Sequence, residues 1–159
     1  MNETDKQTVL RLFPYGLHAV TVRAGDDQHA IAAAWVMQAS FAPPMVVVAA
    51  ESESRCLPMI RDAKAFAVNV LSAEQRELAS RLGHGGGATA QKLSGIPTRP
   101  APVTGAPVIT GCLGWLECRL VATMPAGDHT LVLGEVVEAG VEREGLPLTL
   151  AETGMKYSG

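Results

Sequence analysis

Charge is scarce in this chain. Only 18% of its 159 residues are Asp, Glu, Lys or Arg, against 47% apolar residues, where a soluble domain usually carries roughly 25% charge. The mean hydropathy is +0.16. Such a skew predicts apolar surface covered by a partner, and a second copy of the chain is the commonest cover. The 13 Lys and Arg residues are scattered and the net charge is −3, which argues against nucleic acid or an anionic membrane as partner. No apolar run approaches the roughly 18 residues of a membrane helix. The start, MNETDKQ, has neither a basic nor an apolar leader region, so the expectation is a cytoplasmic protein. The three cysteines, Cys56, Cys112 and Cys118, show no CxxC spacing, and free buried thiols are expected. The four histidines form no HExxH or paired pattern, so no metal is expected. There is no GxSxG elbow. Gly83-His84-Gly85-Gly86-Gly87 lacks both GxxxxGK[ST] and GxGxxG, which excludes a nucleotide-binding α/β fold.

At 159 residues the chain is one domain on length, able to bury roughly 70% of its unfolded surface. Thr4 or Asp5 can cap a short helix through Phe13. His18 to Ala24 alternates as a half-buried strand, and Gly25-Asp26-Asp27 turns into the returning one. Ala65 to Leu71 reads as another strand, and Ser72 with Gln75 forms a capping box opening a helix through Leu82. The Gly- and Pro-rich segment from Gly83 to about Gly111 is too long for an ordinary connection, hence a lid or partly disordered. Cys112 to Met124 alternates, with Glu117 and Arg119 neighbours on one face as a solvated or interface pair. After a turn at Pro125 to Asp128, His129 to Val137 is the next strand, and Pro147 to Leu150 a final edge strand ahead of Lys156-Tyr157. Strands with helices between them, and no αβαβ rhythm, point to an antiparallel barrel.

Three stretches carry the chemistry. Ala30 to Ala50, AIAAAWVMQASFAPPMVVVAA, combines small residues with Trp35 and Gln38, then turns at Pro43-Pro44 into Met45-Val46-Val47-Val48. A flat ligand could lie against such a backbone, although two packed elements would show the same composition. Ser52 or Ser54 can cap the helix that contains Leu57, Met59 and Ile60, and free amides beside Arg55 make an anion site, or merely a capped helix with a solvated arginine. In Gly127-Asp128-His129 a turn can aim an imidazole from a strand end into a pocket.

These residues resemble the flavin-reductase-like family of FMN-binding split barrels. Ala34-Trp35-Val36-Met37-Gln38-Ala39-Ser40-Phe41 with Pro43-Pro44 is similar to the family's flavin-pocket wall, and GDHTLVLGEVV from Gly127 is similar to its Gly-Asp-His strand. The resemblance runs from about Leu12 to Tyr157. It implies a mainly β, antiparallel Greek-key split barrel with flanking helices, forming a homodimer. It further implies FMN, with FAD as the alternative, bound by Ala34, Trp35, Val36, Gln38, Ala39, Ser40, Ser52, Ser54, Arg55 and Lys92. Asp128 and His129 would lie beside the flavin and a bound NADH or NADPH. Two departures stand out: Cys56 replaces a frequent Ser or Thr, and Leu93 replaces the aromatic of a Lys-aromatic pair at Lys92. The activity implied is hydride transfer from nicotinamide to flavin, with an oxygenase or another acceptor downstream. A non-catalytic flavin carrier, or a related barrel that binds haem or oxidises a small substrate, is the alternative.

Overall fold

The computed structural model describes residues 1–83 and 91–157. Helix α1 (Glu3–Arg11) is followed by strands β1 (His18–Ala24), β2 (Asp27–Ala33), β3 (Val36–Phe41) and β4 (Pro44–Glu51). Then come α2 (Cys56–Ala63), β5 (Ala65–Val70), a 3-10 turn (Ala73–Gln75) and α3 (Arg76–Gly83). Strands β6 (Thr98–Pro100), β7 (Pro107–Ile109), β8 (Gly114–Ala126) and β9 (His129–Val141) lead to a last short helix, α4 (Leu150–Thr153).

Seven strands form one antiparallel sheet in the order β2-β1-β5-β8-β9-β4-β3, and β6 pairs with β7. The two edge strands, β2 and β3, are consecutive in sequence and joined by only Ala34 and Trp35. A seven-stranded sheet whose opposite edges are tied by two residues must curl until those edges meet. The Ala49 amide donates to the Trp35 carbonyl at 2.9 Å, carrying the β3–β4 ladder into that connection. The expected antiparallel split barrel is therefore the fold observed, and its split lies at the small-residue run.

Inside the curl, Val20, Val22, Val46, Val48, Phe66 and Val132 pack against Leu57 and Ile60 of α2. Buried positions 56, 57, 59 and 60 make one stripe of that helix; Pro58 sits in its first turn, where no amide partner is required. A second core, with Leu17, Leu71, Leu82 and Leu148, lies beneath α3. Gly134 explains one glycine of the long hairpin: a Cβ there would stand 2.5 Å from Phe66 Cζ. All three cysteines are free and buried, as expected.

Several expectations need correction. Asn2, not Thr4 or Asp5, caps α1, accepting from both of their amides. That helix stops at Arg11 and buries no residue, because among the described residues neither main core takes in its apolar side. Pro44 joins β4, opposite Phe41 at the hairpin mouth, where a missing amide costs the ladder little. Pro147 and Thr149 make only isolated bridges, and Leu150 already begins α4.

The largest correction concerns residues 91–111; positions 84–90 of the expected lid lie outside the described residues. Residues 103–109 do not form a lid but pack over the outer face of β1, β5 and β8, while Leu93 and Ile96 pack on the core beneath α3. Three fully buried polar side chains on that outer face hold residues 103–109. Thr21 Oγ1 donates to the Pro107 carbonyl at 2.6 Å, and Asn69 Oδ1 accepts from the Ile109 amide at 2.9 Å. Glu117 accepts from the Thr104 hydroxyl at 2.7 Å and from the Val103 and Thr104 amides. Glu117 is thus not the solvated partner of Arg119, which stays exposed: the segment covers position 117 but does not reach position 119.

Candidate functional site

The β8–β9 hairpin closes through Gly127 and Asp128, with Gly127 at φ +67. A positive φ suits a two-residue hairpin turn, and it makes His129 the first residue of β9. β4 pairs with β9 in a register that sets Glu51 opposite His129, and the Ser52 amide fastens the turn by donating to the Asp128 carbonyl at 2.9 Å. Trp35 enters from the barrel seam, its ring 4.6 Å from that of His129 between centroids. Tyr157 arrives from the tail, 5.3 Å from Trp35. Three of these groups form a chain around the imidazole. Asp128 Oδ1 lies 2.6 Å from His129 Nδ1, the Tyr157 hydroxyl 2.9 Å from His129 Nε2, and that hydroxyl donates to Glu51 Oε1 at 3.1 Å. The imidazole beside Asp128 holds its carboxyl below the usual range. Burial, followed by Glu51, pushes the Tyr157 phenol above its usual value, so it stays protonated.

These residues line a cavity of about 660 Å³ together with Ser52, Glu53 and Lys156. A second cavity, about 520 Å³, adjoins it and shares Glu51, Glu53 and Tyr157. Its floor is the small-residue seam, Ala32 to Ala34 against Ala49 and Ala50, and its cations are Arg55 and Lys92. Ser54 belongs to this wall, and its hydroxyl accepts from the Cys56 amide at 3.2 Å, opening α2. Arg55 is steadied by an ion pair with Asp27 at the start of β2. Lys92 Nζ donates to the Leu82 carbonyl at 2.8 Å, and burial lowers its pKa. His29 is pushed down to about 4, by burial first and then by Lys92 and Arg55, so it is neutral at pH 7. Cys56 is fully buried, its thiol pushed up to about 12 by burial, and it does not line the cavity.

Of the residues singled out in the sequence, Trp35, Ser52, Asp128 and His129 meet in the first cavity, and Ala34, Ser54, Arg55 and Lys92 in the second. Val36, Gln38, Ala39 and Ser40 lie along β3 and line neither cavity of the single chain. Sequence reasoning missed His29, Glu51 and Tyr157. His29 shares the strand parity of Ala33, a signal that was legible; Glu51 and Tyr157 gave none, since their roles depend on register and on how the tail folds back.

Small floor residues, two cations near a helix start and two buried polar atoms that find no partner among the described residues, His29 Nδ1 and Trp35 Nε1, suit a flat, hydrogen-bonding ligand that bears a phosphate. The family described as flavin reductase like domain matches residues 10–159. The chain belongs to this family. It is 32% identical over 156 residues to the reductase component of 4-hydroxyphenylacetate 3-monooxygenase from Thermus thermophilus, spanning 98% of this chain and 96% of that one. It is 34% identical to an NADH-dependent FMN reductase from Streptomyces nodosus subsp. asukaensis, with coverage of 91% and 79%. Among solved structures, a Streptomyces globisporus NADH:FAD oxidoreductase in complex with NAD and FAD fragments superposes with a TM-score of 0.80 at 26% identity, covering 89% of this chain and 83% of that one.

Proposed function

We propose that this flavin-reductase-family chain is a single-domain NAD(P)H-dependent flavin reductase that binds FMN, or FAD in its place. One observation carries the reading: the Trp35–His129–Tyr157 cluster abuts a small-residue cavity whose cations, Arg55 and Lys92, suit a phosphate. The flavin, when bound, supplies the redox chemistry by accepting a hydride. The chain's own residues supply position. Ser54, Arg55 and Lys92 hold the phosphate, and Ala34 and the seam lie under the ring. Trp35, Asp128 and His129 order the nicotinamide. Val36, Gln38, Ala39 and Ser40 extend that wall along β3, and Ser52 ties the β4 end to the hairpin turn. Anaerobic mixing of the FMN-loaded protein with NADH or NADPH should bleach the flavin absorbance within seconds, whereas a flavin carrier would stay oxidised.

The phosphate assignment has its own test. Arg55→Ala should weaken FMN binding about tenfold or more, as for losing a charge-assisted hydrogen bond, and leave riboflavin nearly unchanged. Equal losses for the two ligands would mean that Arg55 does not touch phosphate.

The same reading makes the chain a homodimer that delivers reduced flavin to an oxygenase or another acceptor. Its three buried free thiols suit a reducing, cytoplasmic setting. On the outer face of the sheet, the register places Met37, Val47, Leu133 and Ala122 in one row across β3, β4, β9 and β8. Leu131 and Met124 form the next pair. Met37 and Met124 are more than half exposed, which supports a second copy covering this face. Sedimentation at micromolar concentration should give twice the 16.7 kDa chain mass, and Met37→Glu should return it to one. A clean wild-type monomer that still binds FMN would overturn the dimer.

A further inference from the structure

Two cavities of different charge meet at Glu51, Glu53 and Tyr157, which line both. The one over the alanine seam sets Arg55 and Lys92 against Glu51 and Glu53, two cations to two carboxylates. The other presents three carboxylates, Glu51, Glu53 and Asp128, against the single cation Lys156, and its rings are Trp35, His129 and Tyr157. A phosphate belongs with the cations, so the nicotinamide ring is left facing the carboxylates and aromatic groups.

We propose that this acidic, aromatic cavity prefers the nicotinamide ring in its cationic form, and that Glu51 thereby acts as an electrostatic catalytic residue in hydride transfer. The inference rests on the flavin-reductase reading above and deepens it. A dihydronicotinamide ring is neutral. When its C4–H bond breaks, the hydrogen departs with both bonding electrons to an oxidised isoalloxazine, and the ring is left a pyridinium with one positive charge. Part of that charge is present in the transition state. Fixed negative groups beside the ring therefore stabilise the transition state more than the neutral reactant, which is the requirement for raising a rate rather than only an affinity. Trp and Tyr faces act in the same sense, since their quadrupoles attract cations.

Glu51 is better placed for this than its neighbours. The β4–β9 register sets it opposite His129, and Tyr157 donates to its Oε1; no hydrogen bond reaches its Oε2 among the described residues. The Asp128 carboxylate is engaged with His129 Nδ1. Glu53 follows the end of β4, outside any helix or strand. Glu51 is thus a charge at the junction of the two cavities, held by one contact at Oε1. Tyr157 is the positioning residue that steadies it.

A pair of probes separates charge from shape. 1-Methylnicotinamide is a permanent pyridinium, and nicotinamide is a neutral compound with the same ring and amide. Each is titrated into the protein, with and without FMN, while NMR follows the His129 ring and the indole N–H signals of the 2 tryptophans; Trp35→Phe assigns the relevant one. The cation should bind about tenfold more tightly than nicotinamide, the size expected for one to two kcal/mol of attraction at a solvent-accessible site. Glu51→Gln keeps an oxygen to accept from Tyr157 and removes only the charge, so the preference should fall to about threefold or less. Equal affinities in the wild type would overturn the proposal. So would a preference that survives Glu51→Gln, or Trp35 and His129 signals that neither probe moves. Flavin reduction by NADH, measured on the same preparation, keeps the two claims apart: reduction without any cation preference sinks only the role of Glu51, and a lack of reduction sinks the reductase reading itself.

Discussion

Replacing His129 with alanine should leave FMN bound while slowing its reduction by NAD(P)H about ten- to a hundredfold, the loss of roughly 1.4 to 2.7 kcal/mol of transition-state stabilisation. Flavin reduction by nicotinamide needs orientation more than proton transfer, and the imidazole is built as an orienting group. Its Nδ1 is held by Asp128, its Nε2 by Tyr157, and its ring lies 4.6 Å from Trp35. Only 8% of the residue is exposed, so it contributes a fixed surface rather than a mobile acid or base. Chemical reduction by dithionite does not use that surface and should proceed at the wild-type rate. Stopped-flow absorbance with each reductant is the measurement. A variant that loses FMN would make His129 a binding residue, and a normal rate with NADH would reduce it to a strand residue following a turn.

The largest expected stability effect lies away from the cavities, at Glu117. Its carboxylate is fully buried and is the acceptor for two backbone amides and one hydroxyl of the 101–106 turn. Glu117→Ala would leave those donors without a partner, at a cost of about 3 kcal/mol if each of three contributes near the low end of its desolvation penalty. For a chain of this length that corresponds to a fall in Tm of about 6 to 12 °C. Arg119→Ala, two positions along the same strand and exposed, should change stability by less than about 0.5 kcal/mol. Urea unfolding of the two variants discriminates between the readings of this strand. If both lose the same small amount, Glu117 and Arg119 behave as the surface pair that alternation suggests, and the carboxylate is no anchor for the turn.

Glu117 also shows why part of the structure could not be read from the chain. Alternation assigns the faces of 115–120 correctly, up to the bulge between Leu120 and Ala122 that turns Ala122 outward, but a face is solvated only if nothing lies on it. Whether residues 103–109 cover that face depends on Thr21, Asn69 and Glu117, which are distant in sequence and become neighbours only when β1, β5 and β8 pair. A Gly- and Pro-rich stretch has no periodicity of its own, so its length suggested a lid when its backbone was in fact held by those three side chains.

The site divides in the same way. Local sequence determined the elements that carry it: the strand through His18 to Ala24, the helix stripe at 56, 57, 59 and 60, the capping box at Ser72, and the hairpin turn at Gly127-Asp128, each set by periodicity or by a backbone conformation within a few residues. The sequence also determined, through two separated stretches similar to one family, that a Trp35 segment and a Gly-Asp-His strand belong together. Only the tertiary structure decided what completes the arrangement. Ala34 and Trp35 connect opposite sheet edges, so curling the sheet creates the seam on which a flat ligand could rest. Glu51 faces His129 because of strand register, and Tyr157 reaches both because the tail folds back across the cavity mouth. Pairings over 78 and 106 positions are cooperative products of the whole sheet, and no local pattern encodes them.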